Sequence, residues 1–219
     1  MPHAETSNTH PALREQLQRG VQALGQELPE GSSDRLLAYL DELQRWNRAY
    51  NLTAVRELAA MVERHLVDSL SVRPYLDGAR IVDAGTGAGL PGVVLAIAEP
   101  ERQFMLVDSN GKKLRFLRHV QRELALDNIE PRQARLEALT HEPAPDQVVT
   151  RALAPLARMV GWCAPWLARG TTLLAMKGEL DPAECRAVPD QYNVTIHPLQ
   201  WPGQTAARCV AVIRKGDCS

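Results

Sequence analysis

The 219-residue sequence predicts an α/β protein built on a doubly wound, mainly parallel sheet. Residues 81–92 run from two β-branched residues through an acid into a glycine-rich stretch, as at the turn between a buried strand and a helix. Beyond this turn, β-rich runs alternate with helical patterns, which is typical of a parallel sheet covered on both faces. Before it, only helical periodicity is visible.

The chain divides into three parts. Residues 1–10 are polar, and we expect a disordered leader there. Residues 11–78 are predicted to form a small N-terminal helical cap, and residues 79–219 the Rossmann-like sheet domain.

Four helical segments are predicted in the cap. From Pro11, apolar residues recur at spacings of three and four. Residues 29–34 form a predicted loop that supplies an N-cap for a second, leucine-rich helix. Two shorter helices fit residues 57–63 and 64–75.

The sheet domain is predicted to have five parallel strands and two final strands. The parallel strands are residues 80–85, 103–108, 129–134, 146–151 and 171–177. The helices between them are residues 91–99, 110–126, 155–168 and 181–187. The last two β-rich runs, 192–201 and 207–215, are predicted to form a C-terminal antiparallel hairpin at one sheet edge.

Composition excludes several classes of protein. The net charge is −1, so any nucleic-acid-binding surface must be local. No apolar run is long enough to span a membrane and no signal-peptide core is visible, so we expect a cytoplasmic protein. The four cysteines are scattered without a CxxC pair, which predicts reduced thiols and no metal site.

The glycine-rich turn predicts a cofactor site that contains a nucleoside. Its three glycines are Gly85, Gly87 and Gly89. The next strand ends at Asp108, at a distance that suits a ribose diol. A dinucleotide fingerprint needs a glycine at position 90, where this chain has Leu90. With Asp83 in front, the D-x-G-x-G-x-G turn resembles the first motif of doubly wound methyltransferases that bind S-adenosylmethionine.

The helix after Asp108 has the most unusual charge pattern of the chain. It contains five basic residues and no acid between positions 109 and 122, namely Lys112, Lys113, Arg115, Arg118 and Arg122. Basic residues at a helix N-terminus oppose the helix dipole, so a polyanion such as RNA is a natural partner. An ordinary solvated helix face explains the same charges equally well.

Three further groups are predicted at the carboxyl rim of the sheet. Arg151 ends the fourth strand and could clamp a phosphate or a carboxylate, or form a structural ion pair. Lys177 ends the fifth strand. Residues 135–137 end the predicted third strand, where they could meet an adenine.

Polar groups also cluster in the cap. His65 and Asp68 are three residues apart on a predicted helix, and we expect a hydrogen-bonded pair that fixes the cap against the sheet. Too few ligands are in view for a metal. Trp162 and Trp166, four residues apart, are predicted to be core residues.

Two motifs that are typical of methylation at particular atoms of nucleic-acid bases are missing. No Pro-Cys or Thr-Cys dipeptide occurs for a cysteine adduct on a pyrimidine, and no Asn/Asp-Pro-Pro-Tyr/Phe motif follows the fourth strand. A nitrogen with an in-plane lone pair, such as N7 of guanine, remains a candidate and needs no general base.

Taken together, these motifs resemble one family, the bacterial 16S ribosomal RNA guanine-N7 methyltransferase G family, formerly known as glucose-inhibited division protein B. The matching segments, in order, are Trp46–Thr53, His65–Ser69, Asp83–Gly92, Asp108–Leu117, Arg135–Glu137, Thr150–Ala152 and Lys177–Gly178.

The resemblance implies a cytoplasmic enzyme that moves a methyl group from S-adenosylmethionine to N7 of one guanine in 16S ribosomal RNA. We expect it to act as a monomer on the small subunit, without a metal. The cofactor residues it implies are Asp83, Gly85, Gly87, Gly89, Leu90, Asp108, Ser109, Leu136, Glu137 and Arg151. Catalytic roles fall to Arg151, Asn51, His65 and Asp68. The RNA side comprises Lys112, Lys113, Arg115, Arg118, Arg122, Arg135 and Lys177.

Two other hypotheses stay open from the sequence. A nucleotide-dependent oxidoreductase would use the same kind of turn, although Leu90, in place of the third glycine of a dinucleotide fingerprint, argues against this function. A non-catalytic RNA-binding or assembly protein could keep the fold and lack a usable cofactor site.

Overall fold

The computed structural model describes residues 11–139, 143–201 and 204–216. Seven strands in these residues form one sheet in the order β3-β2-β1-β4-β5-β7-β6. The strands are β1 (Arg80–Ala84), β2 (Gln103–Asp108), β3 (Ile129–Gln133), β4 (Gln147–Arg151), β5 (Thr172–Lys177), β6 (Tyr192–Pro198) and β7 (Cys209–Lys215). The first five strands are parallel, and β7 pairs antiparallel with both β5 and β6. The predicted fold class and C-terminal hairpin are confirmed.

Helices cover both faces of the sheet. The long cap helices are α1 (Pro11–Ala23) and α2 (Ser32–Tyr50). A third helical stretch joins α3 (Leu58–Met61), a π-helical turn (Val62–Val67), α4 (Asp68–Leu70) and a 3-10 turn (Arg73–Tyr75). The helices of the sheet domain are α5 (Gly92–Ala98), α6 (Gly111–Glu123), α7 (Leu136–Leu139), α8 (Leu156–Leu167) and α9 (Pro182–Arg186). The predicted leader, residues 1–10, lies outside the described residues.

The cap packs directly on the sheet domain. Leu17, Tyr39 and Leu66 from the cap share one buried apolar cluster with Val93 of α5 and Phe116 of α6. A second cluster lies on the other face of the sheet, under α8. The cap therefore continues the hydrophobic core of the sheet domain and fixes α5 and α6 from outside.

Several local predictions are wrong. The N-cap of α2 is Gly31, in a left-handed conformation and without a side chain that could cap the helix, and the hydroxyl of Ser32 donates to the Ile97 carbonyl (3.1 Å). The third strand ends at Gln133, so Leu136 and Glu137 belong to the unpredicted helix α7. Residues Val62–Val67 form a π-helical turn, which helical periodicity does not predict. This turn contains His65 and brings it to Thr53.

Among the described residues, no helix is both long and apolar enough to cross a bilayer. The same residues contain no cluster of three potential metal-binding side chains. Cys163, Cys185 and Cys209 are free thiols, and Cys218 lies outside the described part of the chain.

Candidate active site

Asp83, the acid before the glycine series, holds the turn from its buried side. Asp83 is fully buried, and its Oδ2 accepts hydrogen bonds from the Thr86 hydroxyl (2.6 Å) and the Gly92 N–H (2.8 Å). Burial raises the pKa of Asp83 to about 6, and the two hydrogen bonds act against that rise. Asp83 thus fixes the turn to the start of α5, on the side away from solvent.

The glycines of the turn have different reasons to be glycine. Gly85, Gly87 and Gly89 all have positive φ, at 69°, 60° and 96°. A Cβ on Gly89 would overlap Cγ2 of Val93, so this position allows α5 to pack closely. A Cβ on Gly87 would make only ordinary van der Waals contacts, the nearest with the Gly85 carbonyl oxygen at 3.8 Å, so the positive φ is what favours glycine there. The predicted cofactor position Leu90 is buried in the apolar core under the turn.

Asp108 links the turn to the next strand. Its Oδ2 accepts from the Gly87 N–H and from Lys113 Nζ, both at 3.1 Å, and its Oδ1 accepts from the Asn110 N–H (2.8 Å). The carboxylate is therefore already surrounded by donors at the rim of the sheet. Lys113, predicted on the RNA side, is its ion-pair partner, whereas the neighbouring Lys112 is exposed.

A cleft of about 450 Å³ opens beside this turn, at the carboxyl ends of β1, β2 and β4. Eight of the residues predicted for the cofactor and RNA sides line it: Gly85, Asp108, Ser109, Lys113, Arg135, Leu136, Glu137 and Arg151. Parallel α/β sheets place their ligand sites at this rim.

One wall of the cleft was not predicted from the sequence. Leu153, Arg158 and Trp162 line it, and the Arg158 guanidinium lies 4.8 Å from the centre of the Trp162 ring. Trp166 is a core residue as predicted, whereas Trp162 is partly buried, packs against the second apolar cluster and also lines the cleft. Periodicity places both tryptophans on one helix face and cannot tell which end of that face meets the cleft.

A buried carboxylate joins the cap to the rim. Asp68 accepts from Arg151 Nη1 and from Arg208 Nε, both at 2.9 Å, and Arg151 Nη1 also donates to the Arg64 carbonyl (3.0 Å). Arg151 therefore forms the structural ion pair that was one of its two interpretations, and it also lines the cleft. Arg208 was missed, since nothing around it in the sequence marks it.

The predicted pairing of His65 with Asp68 is wrong. His65 Nε2 instead lies 2.8 Å from the Thr53 hydroxyl. The reason is the π-helical turn, which changes the angular spacing on which the pairing was based. Burial lowers the pKa of His65 to about 4, so its ring is neutral at physiological pH.

The loop after α2 is held by one amide. The Asn47 side chain donates to the Thr53 carbonyl and accepts from the Thr53 N–H, both at 2.9 Å. Asn51 ends α2 in a left-handed conformation and is exposed. The loop thereby carries Asn51 and places Thr53 against His65.

The arginines of α6 lie on a different side of the helix from its buried apolar residues. Leu114, Leu117 and Val120 are buried, whereas Arg115, Arg118 and Arg122 are exposed. Lys177 differs from these arginines. Its ammonium donates to the Ala154 carbonyl and pairs with Glu184, and only 14% of its side chain is exposed.

Solved structures define the class to which this fold belongs. Magnesium protoporphyrin IX methyltransferase from Synechocystis PCC 6803, solved with bound SAH, has a TM-score of 0.56 at 15% identity and covers 82% of this chain and 98% of its own. The M1A22 tRNA methyltransferase of B. subtilis has a TM-score of 0.55 at 15% identity, covering 68% of this chain and 66% of its own. The fold is that of the doubly wound methyltransferases.

Sequence comparison identifies the family. The model of the rRNA small subunit methyltransferase G family matches residues 32–208. A ribosomal RNA small subunit methyltransferase G from Enterobacter sp. (strain 638) is 45% identical over 90% of this chain and 96% of its own length. One from Escherichia coli (strain K12 / DH10B) is 44% identical over 87% and 92%. The chain belongs to this family, and the sequence-based resemblance is confirmed.

Proposed function

We propose that this protein transfers the methyl group of S-adenosylmethionine to N7 of a guanine in the 16S ribosomal RNA of the small subunit. The family match supports the activity, and it covers the glycine turn, Asp108, Arg151 and the wall at Trp162. The observation that carries the proposal is the open cleft at this turn, built from residues of the matching motifs.

The cleft fits the cofactor in both space and chemistry. Gly85 of the turn lines the cleft and has no Cβ to obstruct a ligand that approaches the backbone. The Asp108 carboxylate would accept hydrogen bonds from the ribose hydroxyls, with Ser109 beside it. Leu136 and Glu137 would meet the adenine. When bound, the cofactor supplies a methyl group on a positively charged sulfonium.

The transfer to N7 places modest demands on the protein. N7 attacks with its in-plane lone pair, the carbon–sulfur bond breaks, and the guanine takes up the positive charge, so no proton leaves the nitrogen. The site must orient the base in line with the methyl group and exclude water. We assign the orienting role to Arg151, Asn51, His65 and Asp68, and no general base is required.

The RNA backbone would lie along α6 and the outer rim. Arg115, Arg118 and Arg122 present three guanidinium groups on one exposed helix face, and Lys112 and Arg135 extend it toward the cleft. Such a face supplies phosphate contacts through counterion release. Lys177 is better explained as an internal ion pair. We also propose that the protein acts as a monomer in the cytoplasm.

The two other hypotheses are less well supported. The family match leaves no basis for an oxidoreductase. A non-catalytic assembly protein would be favoured by a filled cofactor site, and the cleft at the glycine turn has room for a ligand instead.

The proposal is tested by methyl transfer from labelled S-adenosylmethionine to small ribosomal subunits purified from cells that lack this modification. We expect the label to enter the RNA at about one methyl group per subunit, and fully modified subunits to take up none. Label in ribosomal protein, or equal uptake by both kinds of subunit, would contradict the proposal.

A further inference from the structure

The loop between β4 and α8 exposes a large apolar side chain in the cofactor cleft. Leu153 is 36% exposed and lines the cleft. In the described part of the chain, Ile196 on β6 is the other large hydrophobic residue with at least this exposure. An exposed leucine on an outer surface is ordinary, whereas a leucine on the wall of a ligand cleft is placed to contact the ligand.

The backbone before Leu153 has an unusual conformation. Ala152 has a φ of 53°, in the left-handed region that residues with a Cβ rarely adopt. On its other side, Arg151 is fixed by the buried Asp68 carboxylate at 2.9 Å. Backbone strain of this kind persists only where the surrounding structure holds it, and it is concentrated at active sites and ligand clamps. The loop therefore turns sharply just after the fixed end of β4.

This loop brings Leu153 to the glycine turn. A Cβ placed on Gly85 would lie 2.4 Å from Cδ1 of Leu153. Gly85 lines the same cleft as Leu153. The leucine side chain thus stands directly beside the turn at which we propose that the cofactor binds.

The order of the strands places Leu153 at the reactive end of the cofactor. In the sheet, β2 and β3 lie on one side of β1, and β4 lies on the other. The groups proposed for the ribose and the adenine, Asp108, Leu136 and Glu137, follow β2 and β3. With the adenosine there, the part of the cofactor that carries the sulfonium methyl group would extend toward β1 and β4. The acceptor must meet that methyl group on the side of Leu153.

We propose that the acceptor guanine enters the cofactor cleft itself and that Leu153 packs against its ring, holding N7 beside the methyl group. This assignment rests on the proposed function. Enzymes that act on a base outside the helical stack hold it between aromatic or apolar side chains. A leucine offers no hydrogen-bonding group that competes for N7, and it keeps water away from the reacting atoms.

The test compares Leu153→Ala and Leu153→Phe with the unchanged protein in methyl transfer to unmodified small subunits. We expect Leu153→Ala to raise the KM for subunits about tenfold, because it removes most of an apolar contact to the substrate. Leu153→Phe keeps an apolar wall and should stay within about threefold of the unchanged protein. The Kd for S-adenosylmethionine, measured by calorimetry, should change less than about twofold in both variants.

Ile196→Ala is the matched control for Leu153→Ala. Ile196 is 40% exposed on the edge strand β6, and the residues that line the cofactor cleft do not include it. Its truncation removes a comparable exposed side chain, so the KM and the Kd should both stay unchanged. Because Leu153 is itself partly exposed, truncating it leaves no large buried cavity, and we expect Leu153→Ala to fold.

Four outcomes would overturn the assignment. An unchanged KM for subunits in Leu153→Ala would remove Leu153 from the acceptor site and leave the proposed function intact. A loss of cofactor affinity as large as the rise in KM would make Leu153 a wall of the cofactor site instead. An equal rise in KM in Ile196→Ala would show that the effect does not depend on the cleft. Failure of the unchanged protein to methylate subunits would remove the proposed function and this assignment together.

Discussion

At the scale of single residues, positions within the glycine-turn motif have different structural roles, although one sequence pattern contains them all. Asp83 and Gly89 lie in the same D-x-G-x-G-x-G turn as Gly85 and Gly87, yet Asp83 and Gly89 hold the turn and α5 in place. Gly85, with Asp108, borders the cleft. The sequence motif gives only the residue types. Whether a residue supports the turn or contacts a ligand depends on the face of the turn on which it lies.

Asp83 should make the free energy of unfolding fall with rising pH. Its pKa is about 6 in the folded protein against an ordinary value of 3.8, so between these values the folded state keeps a proton that the unfolded chain loses. The difference corresponds to roughly 3 kcal/mol of stability lost between about pH 4 and pH 7. Asp83→Asn cannot titrate and keeps an acceptor for Thr86 and Gly92. Urea unfolding of both proteins across this pH range measures the effect.

Asp146→Asn provides a control of opposite sign. The N–H groups of Arg80 and Ala79 lower the pKa of Asp146, so its contribution to stability is present at neutral pH and is lost as the pH falls through that lowered pKa. A difference between wild type and Asp83→Asn that stays constant from pH 4 to pH 7 would show that Asp83 is not held in a desolvated site.

Two variants should distinguish a residue that is needed for cofactor binding from one that is needed for methyl transfer. In Gly85→Asp the new Cβ overlaps Cδ1 of Leu153 at a positive φ, so we expect calorimetry to detect no S-adenosylmethionine binding. In Arg151→Ala, Arg208 still pairs with Asp68. We therefore expect a Kd for S-adenosylmethionine within about tenfold of wild type, together with loss of methyl transfer.

Gly31→Asp is the control for Gly85→Asp, because Gly31 also has a positive φ and a Cβ there meets nothing within 4 Å. Wild-type cofactor affinity in Gly85→Asp would contradict the placement of the site.

At the scale of elements, helix α2 ties the cap to the cofactor turn. The buried Tyr39 hydroxyl donates to the Ala88 carbonyl inside the turn (2.9 Å), and the Ser32 hydroxyl donates to the Ile97 carbonyl at the far end of α5 (3.1 Å). Further along α2, the Trp46 ring lies 5.7 Å from Phe116 of α6. The cap thus contacts α5 and α6, the helices that follow β1 and β2.

Tyr39→Phe and Ser32→Ala should have similar effects on stability and different effects on cofactor binding. Each substitution removes one buried hydrogen bond to a backbone carbonyl, with an expected cost of about 1 kcal/mol in the free energy of unfolding. Tyr39→Phe alone releases the glycine turn, so we expect its Kd for S-adenosylmethionine to rise several-fold. Equal cofactor affinity in the two variants would show that the cap does not position the turn.

The exposed face of α6 should govern the salt dependence of RNA binding. We expect Arg115→Ala, Arg118→Ala and Arg122→Ala each to reduce the slope of log K against log salt by about 0.7 to 0.9. Arg186→Ala on α9 removes an exposed arginine from another surface and should not change the slope. Binding of 16S ribosomal RNA at several salt concentrations provides the measurement, and slopes unchanged in all four variants would remove α6 from the interface.

At the scale of the whole molecule, the sequence predicts most of the sheet because its strands are local features. Each predicted parallel strand matches an observed one within one or two residues at either end, and the final hairpin has the predicted pairing. Alternating apolar runs and glycine turns depend on near neighbours, so a single sequence suffices to locate them.

The parts of the site that were missed depend on distant contacts. Asp68 lies 83 positions from Arg151 and 140 positions from Arg208 in the chain, and Trp162 reaches the cleft from the middle of α8. The π-helical turn at His65 is a departure from periodicity, so a prediction based on periodicity cannot find it. Tertiary packing decides all three.

The atom that receives the methyl group tests the proposed reaction most directly. After transfer by this protein, RNA from previously unmodified small subunits would be reduced and treated with aniline, which cuts the chain at N7-methylguanine. We predict one new cut at one guanine of 16S ribosomal RNA, absent after incubation with Gly85→Asp. Incorporated label without any new cut would show that methylation occurs at another atom, and it would contradict an attack by N7 without a general base.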